Sequence, residues 1–173
     1  MIIKFVRHAE SKNNKLTKLG KIQCKIAAKE KDAFKYEKIY CSPSPRCVKT
    51  ARYFQNKLKM QVEIVEGLRE RELLKTREPQ NEEEKKWYDN YLNPMYSSEN
   101  PEGCKEYLAR NFIEFARIID NHIDKNENVM IVAHSGTFYA LMAYINGIQK
   151  NKDITWYRIG NLNSVYIELN SRV

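Results

Sequence analysis

Val129-Met130-Ile131-Val132-Ala133-His134-Ser135-Gly136 is the stretch on which the fold turns. Its first five residues form the most hydrophobic run of the chain and read as a strand. A histidine follows directly, and Gly136 lets the chain turn sharply into a helix over 136–147, closed by Gly147. The same order, strand then polar cluster, occurs twice earlier. MIIKFV (1–6) leads into Arg7-His8-Ala9-Glu10-Ser11, and KIYC (38–41) leads into Ser42-Pro43-Ser44-Pro45-Arg46.

Working outward, helical and strand periodicities alternate along the chain. Leu19, Ile22 and Ile26 recur at helical spacing behind Thr17, a residue suited to cap that helix. A helix is expected from Pro45 to about Leu58, with Val48, Ala51, Phe54 and Leu58 on its inner face. QVEIV (61–65) reads as a third strand, and residues 103–125 as a long amphipathic helix striped by Leu108, Phe112, Phe115, Ile119 and Ile123. A last strand alternates through Val165, Ile167 and Leu169. Strand and helix in alternation imply crossover connections. The expected class is therefore α/β: a three-layer α/β/α sandwich with a mainly parallel central sheet, in one domain over 1–173. Residues 66–102 are polar and irregular, with one helix expected near 80–92, and form a segment placed to cover the site. In such sheets ligands bind beyond the carboxyl ends of the strands, which puts all three polar clusters on one rim.

Composition narrows the function classes. The chain has 173 residues, 42% hydrophobic and 30% charged, an ordinary globular balance. No run approaches the ~20 apolar residues of a membrane span, and MIIKFVR is too short for the apolar centre of a signal peptide, so a cytoplasmic protein without a membrane partner is expected. Cys24, Cys41, Cys47 and Cys104 show no CxxC pairing and are expected to be reduced thiols, with no metal site. The net charge of +8 is uneven: residues 1–62 hold sixteen Lys/Arg against four Asp/Glu. Few aromatics interleave these lysines, which disfavours nucleic acid and suits small anionic ligands. CSPSPR resembles a cysteine-phosphatase loop, but four residues separate Cys41 from Arg46 where that loop needs five.

The rim residues have a common chemistry. Arginine presents a planar fork to phosphate oxygens, and Arg7 with Arg46 would hold a phosphoryl group from two sides. Ser44-Pro45 marks a helix start that aims backbone N–H groups at the same rim, and Gly136 brings a second positive helix end beside His134. A neutral histidine is a competent nucleophile toward phosphorus. His122, inside a helical stripe, is read as structural.

In these residues the chain resembles the histidine phosphatase superfamily, also called phosphoglycerate-mutase-like. The likeness runs in order from residue 2 to about 168. It comprises Arg7-His8-Ala9-Glu10-Ser11-Lys12-Asn13-Asn14, Leu16-Thr17-Lys18-Leu19-Gly20-Lys21-Ile22-Gln23, Ser42-Pro43-Ser44-Pro45-Arg46 with Thr50-Ala51, Leu68-Arg69-Glu70, and Ala133-His134-Ser135-Gly136. The resemblance implies His8 as the nucleophile that becomes phosphohistidine. It implies Arg7, Arg46 and His134 around the phosphoryl oxygens, with Asn14 and Ser135 as further phosphate contacts. Glu70 would be the general acid and then base, Glu72 being the alternative two residues on. No cofactor is implied. Two positions depart from the pattern: Ala9 and Ser135 stand where the family has glycine.

The same resemblance sets the activity expected. A phosphomonoester hydrolase acting on a small phosphorylated metabolite is favoured over a mutase, because the covering segment is short and a mutase must shield its phosphoenzyme from water. A catalytically weak module that binds phosphorylated ligands is the remaining alternative. Arg69, Arg71, Lys75 and Arg77 would either meet a second anionic group or be solvated, and Trp87, Tyr88 and Tyr91 are expected to be core more than ligand platform.

Overall fold

The computed structural model describes residues 1–30, 32–71, 81–91, 93–99, 101–148 and 159–170. Its sheet comprises β1 (Ile2–Arg7), β4 (Lys38–Cys41), β5 (Val62–Ile64), β6 (Val129–Ala133) and β7 (Ser164–Glu168), in the order β5-β4-β6-β1-β7. Only β7 runs antiparallel to its neighbour. β6 is central, which accounts for its unbroken hydrophobicity: every residue is buried, and alternate side chains serve opposite faces. Met130 and Val132 join Val6, Ile39, Cys41, Ala51 and Phe54 on one face. Val129 and Ile131 join Ile3, Phe5, Leu108, Phe115, Ile118 and Leu141 on the other.

Helices α1 (Lys18–Ala27) and α2 (Pro45–Leu58) cover the first face, while α4 (Cys104–His122) and α5 (Ser135–Asn146) cover the second. This is the expected α/β/α sandwich. The chain also forms the short α3 (Glu82–Asp89) and a 3-10 turn over Glu66–Leu68, whose Glu66 reaches the cleft. Thr17 caps α1 as its position suggested, accepting from the Gly20 N–H at 3.0 Å. All four cysteines are free and buried.

Three features go beyond the sequence reading or differ from it. The apolar spacing in α1 located the helix but not its inner side. Leu19, Ile22 and Ile26 are 55%, 54% and 58% exposed, and the buried residues are Gly20 and Cys24. The reason is close approach: a Cβ on Gly20 would lie 2.0 Å from the Glu10 carbonyl oxygen, so only the small-residue side of α1 fits there. On α2 the inner face is Cys47, Thr50, Ala51 and Phe54, leaving Leu58 exposed. Third, Ser11–Lys12 (β2) pairs with Lys15–Leu16 (β3) in a two-residue hairpin whose turn residues, Asn13 and Asn14, have φ of 48° and 62°. Asparagine tolerates that left-handed backbone, so the Asn-Asn pair was a readable turn signal.

The Gly20 contact makes a direct prediction. Gly20→Ala must push backbone against backbone, so it is expected to cost about 1–3 kcal/mol, seen as a lower melting temperature in thermal unfolding. An unchanged melting temperature would show that α1 can shift without penalty.

Candidate active site

The carboxyl ends of β1, β4 and β6 lie side by side, and each delivers one cluster to the same rim. His8 follows β1, with its backbone N–H bonded to the Ala133 carbonyl at 2.9 Å. Ser42 follows β4 in the same way, bonded to Val132. His134 caps α5, and its ring centroid stands 5.3 Å from that of His8.

Arg46, in the first turn of α2, ties the rim together. Its Nε donates to His8 Nε2 at 3.0 Å, one terminal nitrogen donates to His134 Nδ1 at 3.1 Å, and the other donates to Asn14 Oδ1 at 3.0 Å. Guanidinium can only donate, so both ring nitrogens must present lone pairs. The remaining ring nitrogens then carry the protons. His8 Nδ1–H donates to the Ala9 carbonyl at 2.8 Å, and His134 Nε2–H donates to Ser42 Oγ at 2.8 Å. His8 is thereby held with Nε2 free of its proton and turned to the site. Burial, with the charges of Arg46 and Arg7, lowers its pKa to about 4 despite the Ala9 carbonyl. Burial and Arg46 lower His134 to about 2. Both rings are neutral at physiological pH.

Arg7 anchors one terminal nitrogen on the Ile159 carbonyl at 2.6 Å and lies within electrostatic range of Arg46 and Glu70. Burial lowers its pKa from the usual arginine value. The Ser135 hydroxyl is directed at the same Ile159 carbonyl, 3.5 Å away, so what Ser135 offers an anion is the first backbone N–H of α5. Neither departure from glycine strains the loop: Ala9 and Ser135 are absent from the residues with left-handed φ, and Ala9 is fully buried with its N–H bonded to Thr50 Oγ1.

Glu70 completes the group. Its Oε2 is 3.5 Å from His134 Nδ1, and its Oε1 accepts from the Arg71 N–H at 3.3 Å and from Tyr107 Oη at 3.4 Å. Burial raises its pKa above the carboxylate norm, outweighing the opposing pull of Arg46 and Arg7. Glu72 lies outside the described residues, as do Lys75 and Arg77. Gly136 is the floor beneath this carboxyl. A Cβ there would sit 2.7 Å from Glu70 Oε1 and 2.9 Å from Tyr107 Oη. Gly136→Ala is therefore expected to displace Glu70, lowering kcat about 10- to 100-fold in a folded protein. Wild-type kcat in that variant would show that Glu70 has no fixed task.

A cleft of about 490 Å³ opens over these groups, lined by Asn14, Pro43, Ser44, Arg46, Glu66, Arg69, Glu70 and Arg71. Arg69 and Arg71 are not the solvated charges that the sequence left open. Arg69 faces Glu66 and Glu102 at 3.7 and 3.5 Å. Arg71 is 3% exposed, stacked 3.5 Å from the Tyr91 ring centroid and donating to the Tyr91 carbonyl. Trp87 is core, as expected. His122 stays structural but has two partners, Tyr40 Oη at 2.8 Å and Glu127 Oε2 at 2.7 Å. Ser42 and Tyr107 were not singled out from sequence. Ser42 sits within a quoted motif, but Tyr107 has no local signal.

The family model of the histidine phosphatase superfamily (branch 1) matches residues 3–172. The chain belongs to the histidine phosphatase superfamily. This histidine phosphatase is similar to "Putative phosphoserine phosphatase 2" of Hydrogenobacter thermophilus, at 30% identity over 164 residues, covering 83% of this chain and 78% of that one. Its fold matches the alpha-ribazole phosphatase of Shigella flexneri with a TM-score of 0.77 at 22% identity, over 98% of this chain and 91% of that one. It also matches a phosphoserine phosphatase of Entamoeba histolytica, in complex with phosphoserine, with a TM-score of 0.75 at 16% identity, over 95% and 89%. No helix among the described residues is long and apolar enough to cross a membrane.

Proposed function

We propose that this histidine phosphatase hydrolyses a small phosphomonoester in the cytoplasm through a phosphohistidine on His8. The observation that carries the reading is the single guanidinium of Arg46 bonded at once to His8 Nε2, His134 Nδ1 and Asn14 Oδ1. An arriving phosphoryl group offers those N–H donors charged oxygens, which are stronger acceptors than a neutral ring nitrogen or an amide. Arg46 then turns to the phosphate and frees Nε2. His8 Nε2 forms the bond to phosphorus as the ester P–O bond breaks, and protonated Glu70 gives its proton to the departing oxygen. Arg7, Arg46, the Asn14 amide N–H and the Ser135 N–H hold the phosphoryl oxygens as charge shifts between them. His134 joins them once Arg46 has turned away and the ring proton sits on Nδ1, with the Ser42 hydroxyl donating to Nε2. Water next attacks phosphorus, Glu70 takes its proton, and the P–N bond breaks to return His8 and free phosphate. Positive charge on the phosphoryl group comes from side chains in this scheme, and no metal enters it.

The short covering segment, residues 66–102, favours hydrolysis over mutase chemistry, because a mutase must shield its phosphoenzyme from water. The test is phosphate release from a panel of monoesters without added metal. Phosphoserine leads the panel, because the 30%-identical relative bears that name. Release of free phosphate supports a hydrolase. Transfer to a second hydroxyl with no free phosphate would make the protein a mutase.

A further inference from the structure

The outward layer formed by α1 and α2 has a chemistry that phosphate hydrolysis does not use. No Asp or Glu occurs from Ser11 to Lys29 or from Lys38 to Val62, while those segments hold six Lys/Arg each. On the surface this makes the α1–α2 layer strongly basic. Lys12 and Lys15 flank the β2–β3 turn; Lys18, Lys21, Lys25 and Lys29 follow α1; Lys49, Arg52, Lys57 and Lys59 follow α2; all are exposed. The nearest carboxylates in sequence are at the margins of α1. Glu10 is tied to the Thr17 hydroxyl, and Glu30 lies just past Lys29.

Charge alone would suit any polyanion. The decisive addition is apolar. Leu19, Ile22 and Ile26 project from α1 more than half exposed, in a strip beside the strip of lysines. The buried side of the helix is fixed by Gly20, so this arrangement cannot be relieved by rotating α1 inward. Three aligned aliphatic chains beside a row of ammonium groups match the surface of an anionic bilayer, where lysines reach lipid phosphates and the aliphatic chains enter the headgroup boundary. Duplex nucleic acid would meet the lysines, but it presents a polar, charged surface with no use for leucine and isoleucine. A second copy of this face would repel the first.

We propose that the α1–α2 face docks this protein on an anionic lipid surface, with Leu19, Ile22 and Ile26 inserted and the surrounding lysines on lipid phosphates. The docking is peripheral and independent of turnover, so it stands or falls separately from the catalytic reading. The test is co-sedimentation of the full chain with vesicles of phosphatidylcholine alone or with about 30 mol % phosphatidylserine. The partition coefficient is expected to be at least about tenfold higher on the anionic vesicles and to fall at least about tenfold when salt rises from about 0.1 to about 0.5 M. The triple variant Leu19→Ser, Ile22→Ser, Ile26→Ser should keep its melting temperature and lose about tenfold in partition, with phosphate release from a soluble ester unchanged. Equal partition on the two vesicle types would overturn the proposal, as would a triple variant that binds like wild type. A DNA duplex bound as tightly as the vesicles, with or without the three aliphatic residues, would assign the face to nucleic acid instead.

Discussion

His8→Ala is expected to release phosphate at least ~10⁴-fold more slowly than the wild type while still binding inorganic phosphate. The reason lies in how little else His8 does. Its ring makes two hydrogen bonds, one to the Ala9 carbonyl and one from Arg46 Nε. Removing the ring takes away the atom proposed to form the bond to phosphorus, yet leaves Arg7, Arg46 and Asn14 to hold the anion. Calorimetric titration with phosphate separates the two outcomes. In parallel, wild-type protein quenched during turnover should carry an alkali-stable, acid-labile phosphoryl group that the variant lacks. Retained activity in His8→Ala would mean that water attacks the ester directly, and that the ring is structural.

Glu70→Gln is the second large effect. Loss of a general acid is expected to slow an alkyl phosphate about 10²- to 10⁴-fold, and an activated aryl phosphate much less, because a stable phenolate leaves without a proton. The pH dependence follows from two groups. His8 must be neutral, so the rate falls as pH drops through about 4. Glu70 must be protonated, and burial lifts its pKa above the usual carboxylate value. As pH climbs through that raised value, the acid is lost and the rate falls again. The wild-type profile is thus a bell whose acidic limb is set by His8 near 4 and whose alkaline limb is set by the raised pKa of Glu70. Glu70→Gln should abolish its alkaline limb and keep the acidic one. If the alkaline limb survives the substitution, another group supplies the proton, and Glu72 is the first to test.

Most of the site was readable because each of its parts is local. A strand that ends in Arg-His, Ser-Pro or His-Ser-Gly positions those side chains within a few bonds of a sheet edge, and the α/β alternation carries the edges together. What could not be read is what depends on residues distant in sequence. Tyr107 reaches Glu70 across 37 positions and Ser42 reaches His134 across 92. Neither pairing leaves a mark in the spacing of either residue. Which side of α1 is buried was unreadable for the same reason. Periodicity reports that a helix has an apolar side, whereas the identity of the buried side was settled by the Glu10 carbonyl beside Gly20.

By itself, then, the sequence determined the order of the strands and helices, the rim to which Arg7, His8, Arg46 and His134 belong, and the family. These depend on short-range periodicity, turn chemistry and motif spacing, all of which are written along the chain. Only the tertiary structure decided which nitrogen of His8 and of His134 carries a proton, why the pKa of Glu70 is raised, and why Leu19, Ile22 and Ile26 face outward. Those outcomes are settled by close packing and burial, where an atom's neighbours come from across the fold and a single carbonyl or guanidinium selects one arrangement over the rest.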